Sequence, residues 1–346
     1  MALQHFPLLT NTTYLNTAYV GLMSSELASF RRDNETFYVS NGGDHYKIKA
    51  YEELAEIHQK MSSFFGLSSE RCFGVSNFSS GIRETISFLP KGLKVLLIEE
   101  DYPSLSNAFI EQNFSCTSIP MQPEIEVEIE KQLEKEKVDI LAVSIVQYTS
   151  GLLIDQDFLK KLKLNYPDLL IVGDGTQFLG AHEFHFDNSP FDIVAASGYK
   201  WILAGFGNGV VMISPSFLER VTLDATAMRE RFFQGHFNIL GMASLGFAID
   251  QLRNNNFQEL IKKKTELGLK AKKQLTDEGF LPTWVAARPN HSTIFSINGG
   301  EELHDFLQNK NIRVVLRGSG VRVSFHWYNT DQDLFNLVTA LKEFKA

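Results

Sequence analysis

The sequence predicts an α/β protein with a large domain on a mostly parallel sheet, followed by a small α+β domain at the C-terminus. Two observations carry this. Apolar runs bounded by polar or turn residues recur through the first two thirds of the chain: KVLLIEE at 94–100, VDILAVSIV at 138–146, DLLIVGD at 168–174, FDIVAASG at 191–198 and GVVMIS at 209–214. Runs without polar alternation are the mark of strands covered on both faces. Between them, stretches of helical spacing at 104–112, 124–136 and 157–165 supply the crossovers of a parallel sheet.

After about residue 245 the texture changes. A long charged helix is expected at 256–279, a strand at 293–297, a helix at 301–310, strands at 312–316 and 320–325, and a last helix. Thr330, with Asp333 three residues on, resembles a capping box ahead of LFNLVTALKEF. The expected large domain runs from 15 to 245, and residues 1–14 join 246–346 in the small one.

Composition narrows the function. The 346 residues carry 33 Lys plus Arg against 41 Asp plus Glu, a net charge of −8 with no block of like charge. A nucleic-acid partner held by phosphate contacts is therefore not expected. Two cysteines, Cys72 and Cys116, make neither a disulfide framework nor a CxxC or Cys/His zinc pattern, which suits a reducing compartment. The opening MALQHFPLLTNTTYL has no basic n-region and no long apolar h-region, and the most apolar later stretch, WILAGFGNGVVMI, is cut by three glycines. No signal peptide and no membrane span are expected, and the location expected is cytoplasmic.

The chemistry gathers around Lys200, in SGYKW just past the apolar run 191–196 and ahead of AGFGNG. That puts a lysine at a strand's carboxyl end. About one helix-and-strand unit upstream, DLLIVGD ends in Asp174 and Gln177 follows, so the three side chains can converge at one edge of a parallel sheet. The loop NFSSG after CFGVS precedes helical spacing in IRETISFL, which places free N–H groups of residues 79–83 where a helix starts, a setting suited to a phosphate.

The segment VGDGTQFLG followed by SGYKWILAGFGNGVVMIS resembles the cofactor core of class V aminotransferases. This is the fold-type I pyridoxal-phosphate family of PLP-dependent transferases that includes cysteine desulfurases, kynureninase and isopenicillin N epimerase. YLNTA at 14–18, SSGIRETI at 79–86, ERFFQGHFN at 230–238 and VRVSFHWYNT at 321–330 follow in the family's order.

The resemblance implies pyridoxal 5'-phosphate as cofactor, with Lys200 forming the internal aldimine, Asp174 pairing with the pyridine nitrogen and Gln177 on the side of the ring's 3-oxygen. It implies phosphate contacts from Ser79, Ser80, Gly81, Ile82 and Arg83, although SGIRETI departs from the family's SGATEAI and loses a threonine hydroxyl at Arg83. Ser197 matches the serine of the family's SxHK, and Tyr199 replaces its histidine. Tyr102, before Pro103, is the expected stacking ring, and Gln147 in VQYTSG is expected near the 3-oxygen. Arg322 is the expected grip on the substrate carboxylate, with Asn16 and Ala18 of YLNTA on the substrate side. Arg317 either reads a second acidic group or is an exposed loop arginine. Gly235 and His236 fall where the family reaches a neighbouring subunit's phosphate, which implies a homodimer with shared sites.

The expected activity is transamination of a small amino acid, with a 2-oxo acid as second substrate. The alternative is a lyase or epimerase of the same class, akin to selenocysteine lyase, kynureninase or isopenicillin N epimerase. A non-catalytic binding or regulatory module of the same fold fits less well, because Lys200, Asp174 and Arg322 occur together. A cysteine desulfurase of the usual kind is not expected, since the family's thiol loop would fall in NKNIRVVLRGSGVR, which has no cysteine. GFGNG at 205–209 lacks the strand-GxGxxG-helix setting of dinucleotide binding. His182 and His185 have HxxH spacing but no third ligand, so no metal is expected.

Overall fold

The structure is a computed structural model that describes residues 5–221, 223–233 and 238–345. From the N-terminus come β1 (Thr13–Tyr14), α1 (Ser25–Asn41), α2 (Gly43–Phe65), β2 (Cys72–Val75), α3 (Phe78–Ser87), β3 (Lys94–Ile98), α4 (Pro103–Glu111) and β4 (Ser115–Ile119). Then follow α5 (Ile125–Lys135), β5 (Ile140–Ser144), α6 (Gln156–Asn165), β6 (Leu170–Asp174), β7 (Ile193–Ser197), β8 (Gly209–Ile213), α7 (Pro215–Leu218) and α8 (Ala225–Phe232). The chain continues with α9 (Ile239–Asn254), α10 (Phe257–Asp277), α11 (Thr283–Ala287), β9 (Ile294–Asn298) and α12 (Gly300–Asn309). It ends with β10 (Ile312–Arg313), β11 (Val315–Arg317), β12 (Gly320–Ser324) and α13 (Asp331–Lys345).

Seven strands form one sheet in the order β2-β8-β7-β6-β5-β3-β4. The five apolar runs of the sequence are its β3, β5, β6, β7 and β8. Neighbours along these strands face opposite sides: Val95, Ala142, Val172 and Ala195 pack into one core layer, and Leu96, Val143, Ile171 and Val194 into the other. Both faces are dry, which is why the runs show no polar alternation.

Pairing is parallel from β4 through β7, while β8 runs antiparallel to both β7 and β2. The reversal has a simple cause. Only residues 198–208 join β7 to β8, too few for the crossover that a parallel neighbour needs.

A second sheet, β11-β12-β9, is antiparallel. It forms its own core with α10, α12 and α13, in which Phe295, Ile297, Val321, Val323, Leu337 and Leu341 are buried. At the start of α13 the Asp333 carboxylate accepts from Thr330 N at 2.8 Å and from Thr330 Oγ1 at 3.1 Å, the returning half of the expected capping box, while Asp333 N donates to Thr330 O at 3.0 Å in place of the hydroxyl.

The N-terminal segment ties the two sheets together. β1 pairs in parallel with β10, and Asn16 bridges to Ser324 at the end of β12. Ala18 N donates to Ser324 Oγ at 3.0 Å, while Gly21 N donates to Tyr199 O at 3.0 Å. The close approach requires glycine, because a Cβ at Gly21 would fall on Lys200 O.

Candidate active site

Asp174 closes β6, Ser197 closes β7 and Lys200 lies three residues beyond, so the parallel strands deliver them to one edge of the sheet. Asp174 Oδ1 accepts from Thr176 N at 2.8 Å, and the Thr176 hydroxyl accepts from Ser197 N at 3.3 Å. These bonds lock the two strand ends together.

Lys200 is 8% exposed. Its Nζ lies 5.8 Å from the centroid of the Tyr102 ring and 5.6 Å from that of Tyr199. Burial pulls the amine down to about 7; Asp174 opposes this, whereas Arg322 and Arg317 push the same way as burial. Burial likewise lifts Asp174 to about 6, against the hydrogen bonds from Thr176 and the charge of Lys200. An amine that loses its proton near neutrality is a nucleophile able to join an aldehyde.

Arg322 stands in the middle of β12 and is 2% exposed. Its Nη1 donates to Tyr148 O at 2.6 Å, and its Nη2 is buried with no partner. Burial and the charge of Arg317 lower its guanidinium to about 9. Arg317 packs over the Tyr19 ring, 4.8 Å from the centroid. A buried guanidinium with donors to spare is built to meet a carboxylate.

The start of α3 comes to the same edge. Its N-cap is Asn77, whose Oδ1 accepts from Ser80 N at 2.9 Å, and Phe78 N donates to Ser197 Oγ at 2.9 Å. Ser79 Oγ donates to Ser104 Oγ at 2.9 Å, drawing the first turns of α3 and α4 together beside Tyr102.

A family model described as aminotransferase class-V matches residues 33–337. The chain belongs to that family. A curated relative is the "probable cysteine desulfurase" of Ureaplasma parvum serovar 3, 21% identical, with 99% of this chain and 96% of the relative covered. Among solved structures, C-DES with glycine covalently linked to its PLP cofactor superposes with a TM-score of 0.86 at 15% identity, covering 98% of each chain. A cysteine desulfurase from Thermococcus onnurineus NA1 superposes at 0.83 and 17% identity, covering 99% of this chain and 97% of that one. The cystine C-S lyase C-DES in complex with cysteine persulfide gives 0.84 at 16% identity, covering 97% and 98%. The fold is therefore that of fold-type I enzymes.

Pyridoxal phosphate is the cofactor of class V aminotransferases, and the donor set described above fits it. Lys200 supplies an amine of lowered basicity, Asp174 a buried carboxylate, and α3 a helix start. The structure brings Lys200, Asp174, Ser197, Tyr199, Tyr102, Ser79 and Ser80 to one edge of the large sheet, and Arg322, from the small sheet, near enough to Lys200 to act on its charge.

The structure narrows the phosphate group. Ile82 and Arg83 stand in the second turn of α3, where main-chain N–H groups are spent within the helix. Gly81 N is also committed, to Asn77 O. Arg83 turns outward to Glu111, with Nε donating to Oε2 at 2.8 Å.

Two glutamines are tied more tightly than the family resemblance implies. Gln147 Oε1 accepts from Thr149 N at 2.7 Å and Ser150 N at 2.6 Å, and its Nε2 donates to Glu100 O at 3.1 Å, so it pins a turn. Gln177 bonds to Ala18 O and to Trp201 Nε1. Asn16 Oδ1 is buried without a partner. Gly235 and His236 lie outside the described residues.

Sequence reasoning passed over Tyr148, Thr176 and Asp101. Asp101 Oδ1 accepts from Tyr102 N at 2.7 Å and its Oδ2 from Ser144 N at 2.8 Å, setting the tyrosine at the end of β5. An aspartate directly before Tyr-Pro was the available signal.

Proposed function

We propose that this class V chain is a pyridoxal-phosphate-dependent lyase that breaks the Cβ–S bond of a small sulfur-bearing amino acid without help from a protein thiol. The observation that carries this is the hairpin ahead of Arg322. Arg317 pairs directly with Gly320, so β11 and β12 are joined by Gly318 and Ser319 alone, with Gly318 in the left-handed region at φ 57°. There is no loop here to bear a cysteine. Cys72 is buried in β2, opposite Met212, and burial pushes its thiol up to about 12. Cys116 lies in the edge strand β4, at the far side of the sheet from β7. A thiolate nucleophile from this chain thus has no support, and a substrate whose own sulfur is the leaving group fits better.

When bound, pyridoxal phosphate accepts the electron pair left as the Cα–H bond breaks. The chain supplies the rest. Arg322 holds the substrate carboxylate through Nη2, which fixes the Cα–H bond relative to the lysine. Lys200 Nζ, whose hold on a proton burial weakens, takes the Cα proton. Asp174 places negative charge where a protonated ring nitrogen is to be held. Tyr102 offers a ring face, and Tyr199 closes the other side of the amine.

The names of the relatives, cysteine desulfurases and a cystine C-S lyase, support C–S bond cleavage over the transamination expected from the family label, and that of the lyase is the one that fits elimination. The deciding experiment supplies loaded protein with cystine, cysteine or alanine in turn. Elimination sends the electron pair of the Cα–H bond into expulsion of the sulfur from Cβ, and with one water it releases a 2-oxo acid, ammonium and persulfide (from cystine) or sulfide (from cysteine), with no acceptor needed; accumulation of pyridoxamine phosphate with alanine would restore transamination. A homodimer with shared sites is part of the proposal, checked by sedimentation of the loaded protein.

A further inference from the structure

We propose that Trp201 is a positioning residue that fixes the polarity of the Gln177 amide, so that Gln177 meets the cofactor as a hydrogen-bond donor. This rests on the cofactor site proposed above.

A glutamine amide is nearly symmetric in shape, and a half-turn exchanges its oxygen and nitrogen. Its neighbours decide which way it lies. An indole N–H only donates, and a main-chain carbonyl only accepts. Trp201 Nε1 donates to Gln177 Oε1 at 2.7 Å, and Gln177 Nε2 donates to Ala18 O at 2.8 Å. A half-turn would set N–H against N–H and oxygen against oxygen, so the orientation is fixed at both ends. Of the two Nε2 hydrogens, one goes to Ala18; the second is uncommitted among the described residues. Nε2 therefore keeps one N–H, on a nitrogen whose position is fixed, to offer a ligand beside Asp174 and Lys200, while Oε1 keeps one lone pair. A ring oxygen bearing negative charge is the partner such a donor suits.

The indole is itself held firmly. Trp201 directly follows Lys200, is 1% exposed, and stacks on His326 with centroids 5.4 Å apart at 28°. His326 Nε2 lies 3.2 Å from Trp201 O, which can only accept, so that nitrogen carries the proton. Lys264 Nζ stands 5.8 Å from the indole centroid on the buried side of α10. Phe in place of Trp201 keeps a ring to stack on His326 and removes the N–H together with one ring of the indole.

The test loads wild type, Trp201→Phe, Gln177→Leu and the double variant with pyridoxal phosphate and titrates the visible absorbance with pH. A donor to the ring oxygen favours the deprotonated chromophore, so losing it should move the midpoint upward by about 0.5 in pH, the size of one weakened bond to a charged oxygen. Gln177→Leu should move it at least as far, and Trp201→Phe should add nothing in the Gln177→Leu background. Should Trp201→Phe fail to fold, Gln177→Glu, which keeps the acceptor for Trp201 but has no N–H, should also raise the midpoint. Unmoved midpoints with a normal wild-type band would overturn this inference alone. A wild type with no visible band after loading would overturn the cofactor reading and this inference with it.

Discussion

Arg322 Nη1 is 2.6 Å from the main-chain oxygen of Tyr148, while the Nη2 of the same guanidinium is buried with no partner among the described residues. One half of the group is anchored and the other is held ready. Such a group costs the resting protein stability and returns it only when a carboxylate arrives.

Two opposite effects should follow from Arg322→Met. Catalytic efficiency should fall by about 100-fold or more, the worth of a charge-assisted hydrogen bond of roughly 3 kcal/mol. Unfolding of the cofactor-free protein should shift to slightly higher denaturant, because an unsatisfied buried donor has gone. Steady-state kinetics and a urea titration measure the pair, and wild-type efficiency would place the carboxylate grip elsewhere.

For Asp174→Asn, turnover should drop by at least about two decades while pyridoxal phosphate still binds. A buried charge at hydrogen-bond range is worth a few kcal/mol at an effective dielectric of ~20, and the amide carries none. Activity assays beside visible spectra of the loaded variant separate the two outcomes.

The double variant Cys72→Ala, Cys116→Ala should keep the proposed sulfur release within about twofold of wild type, since neither thiol is placed in the site. Complete loss of persulfide release from a folded, loaded double variant would show that a thiol of this chain takes part.

Acid sensitivity should be traceable to His58. Its Nδ1 faces Leu54 O at 2.8 Å, its Nε2 accepts from Gly74 N at 3.4 Å, and burial pulls the imidazole down to about 4. The folded value lies below the unfolded one, so the unfolded chain binds more protons between about pH 6.5 and 4, and stability falls as pH falls through that window. The loss from this residue should reach about 3 kcal/mol by pH 4. In denaturant titrations at pH 7, 5.5 and 4.5, His58→Gln should show a shallower decline than wild type; equal slopes would contradict the assignment.

The sheet and its catalytic edge were legible because burial on both faces leaves unbroken apolar runs, and because Asp174, Ser197 and Lys200 sit at the ends of those runs. α1 and α2 were not. α1 buries only Leu27 and Asn34, with Tyr38 and Val39 exposed, so no apolar stripe marks it; α2 carries a stripe, Ile57, Met61 and Phe65, in its C-terminal half, while Ile48 and Tyr51 in its first half are exposed. The turn of β8 against its neighbours was readable from the short 198–208 connection. What spacing alone does not reveal is which polar groups satisfy one another: Gln177 and Gln147 read as ligand contacts, yet Gln147 is spent on a turn, while Gln177 is held by Ala18 and Trp201 with one N–H left over.

The segment from Asn16 to Gly21 behaves as a rivet through both lobes, with one end fastened to Ser324 and the other to Tyr199 and Gln177. Neither lobe can open without drawing on a bond made by the other. Thermal unfolding should therefore run as one cooperative transition despite two separate cores, and a protease cut near residue 20 would uncouple them, splitting that transition in two and freeing Arg322 from its register with Lys200.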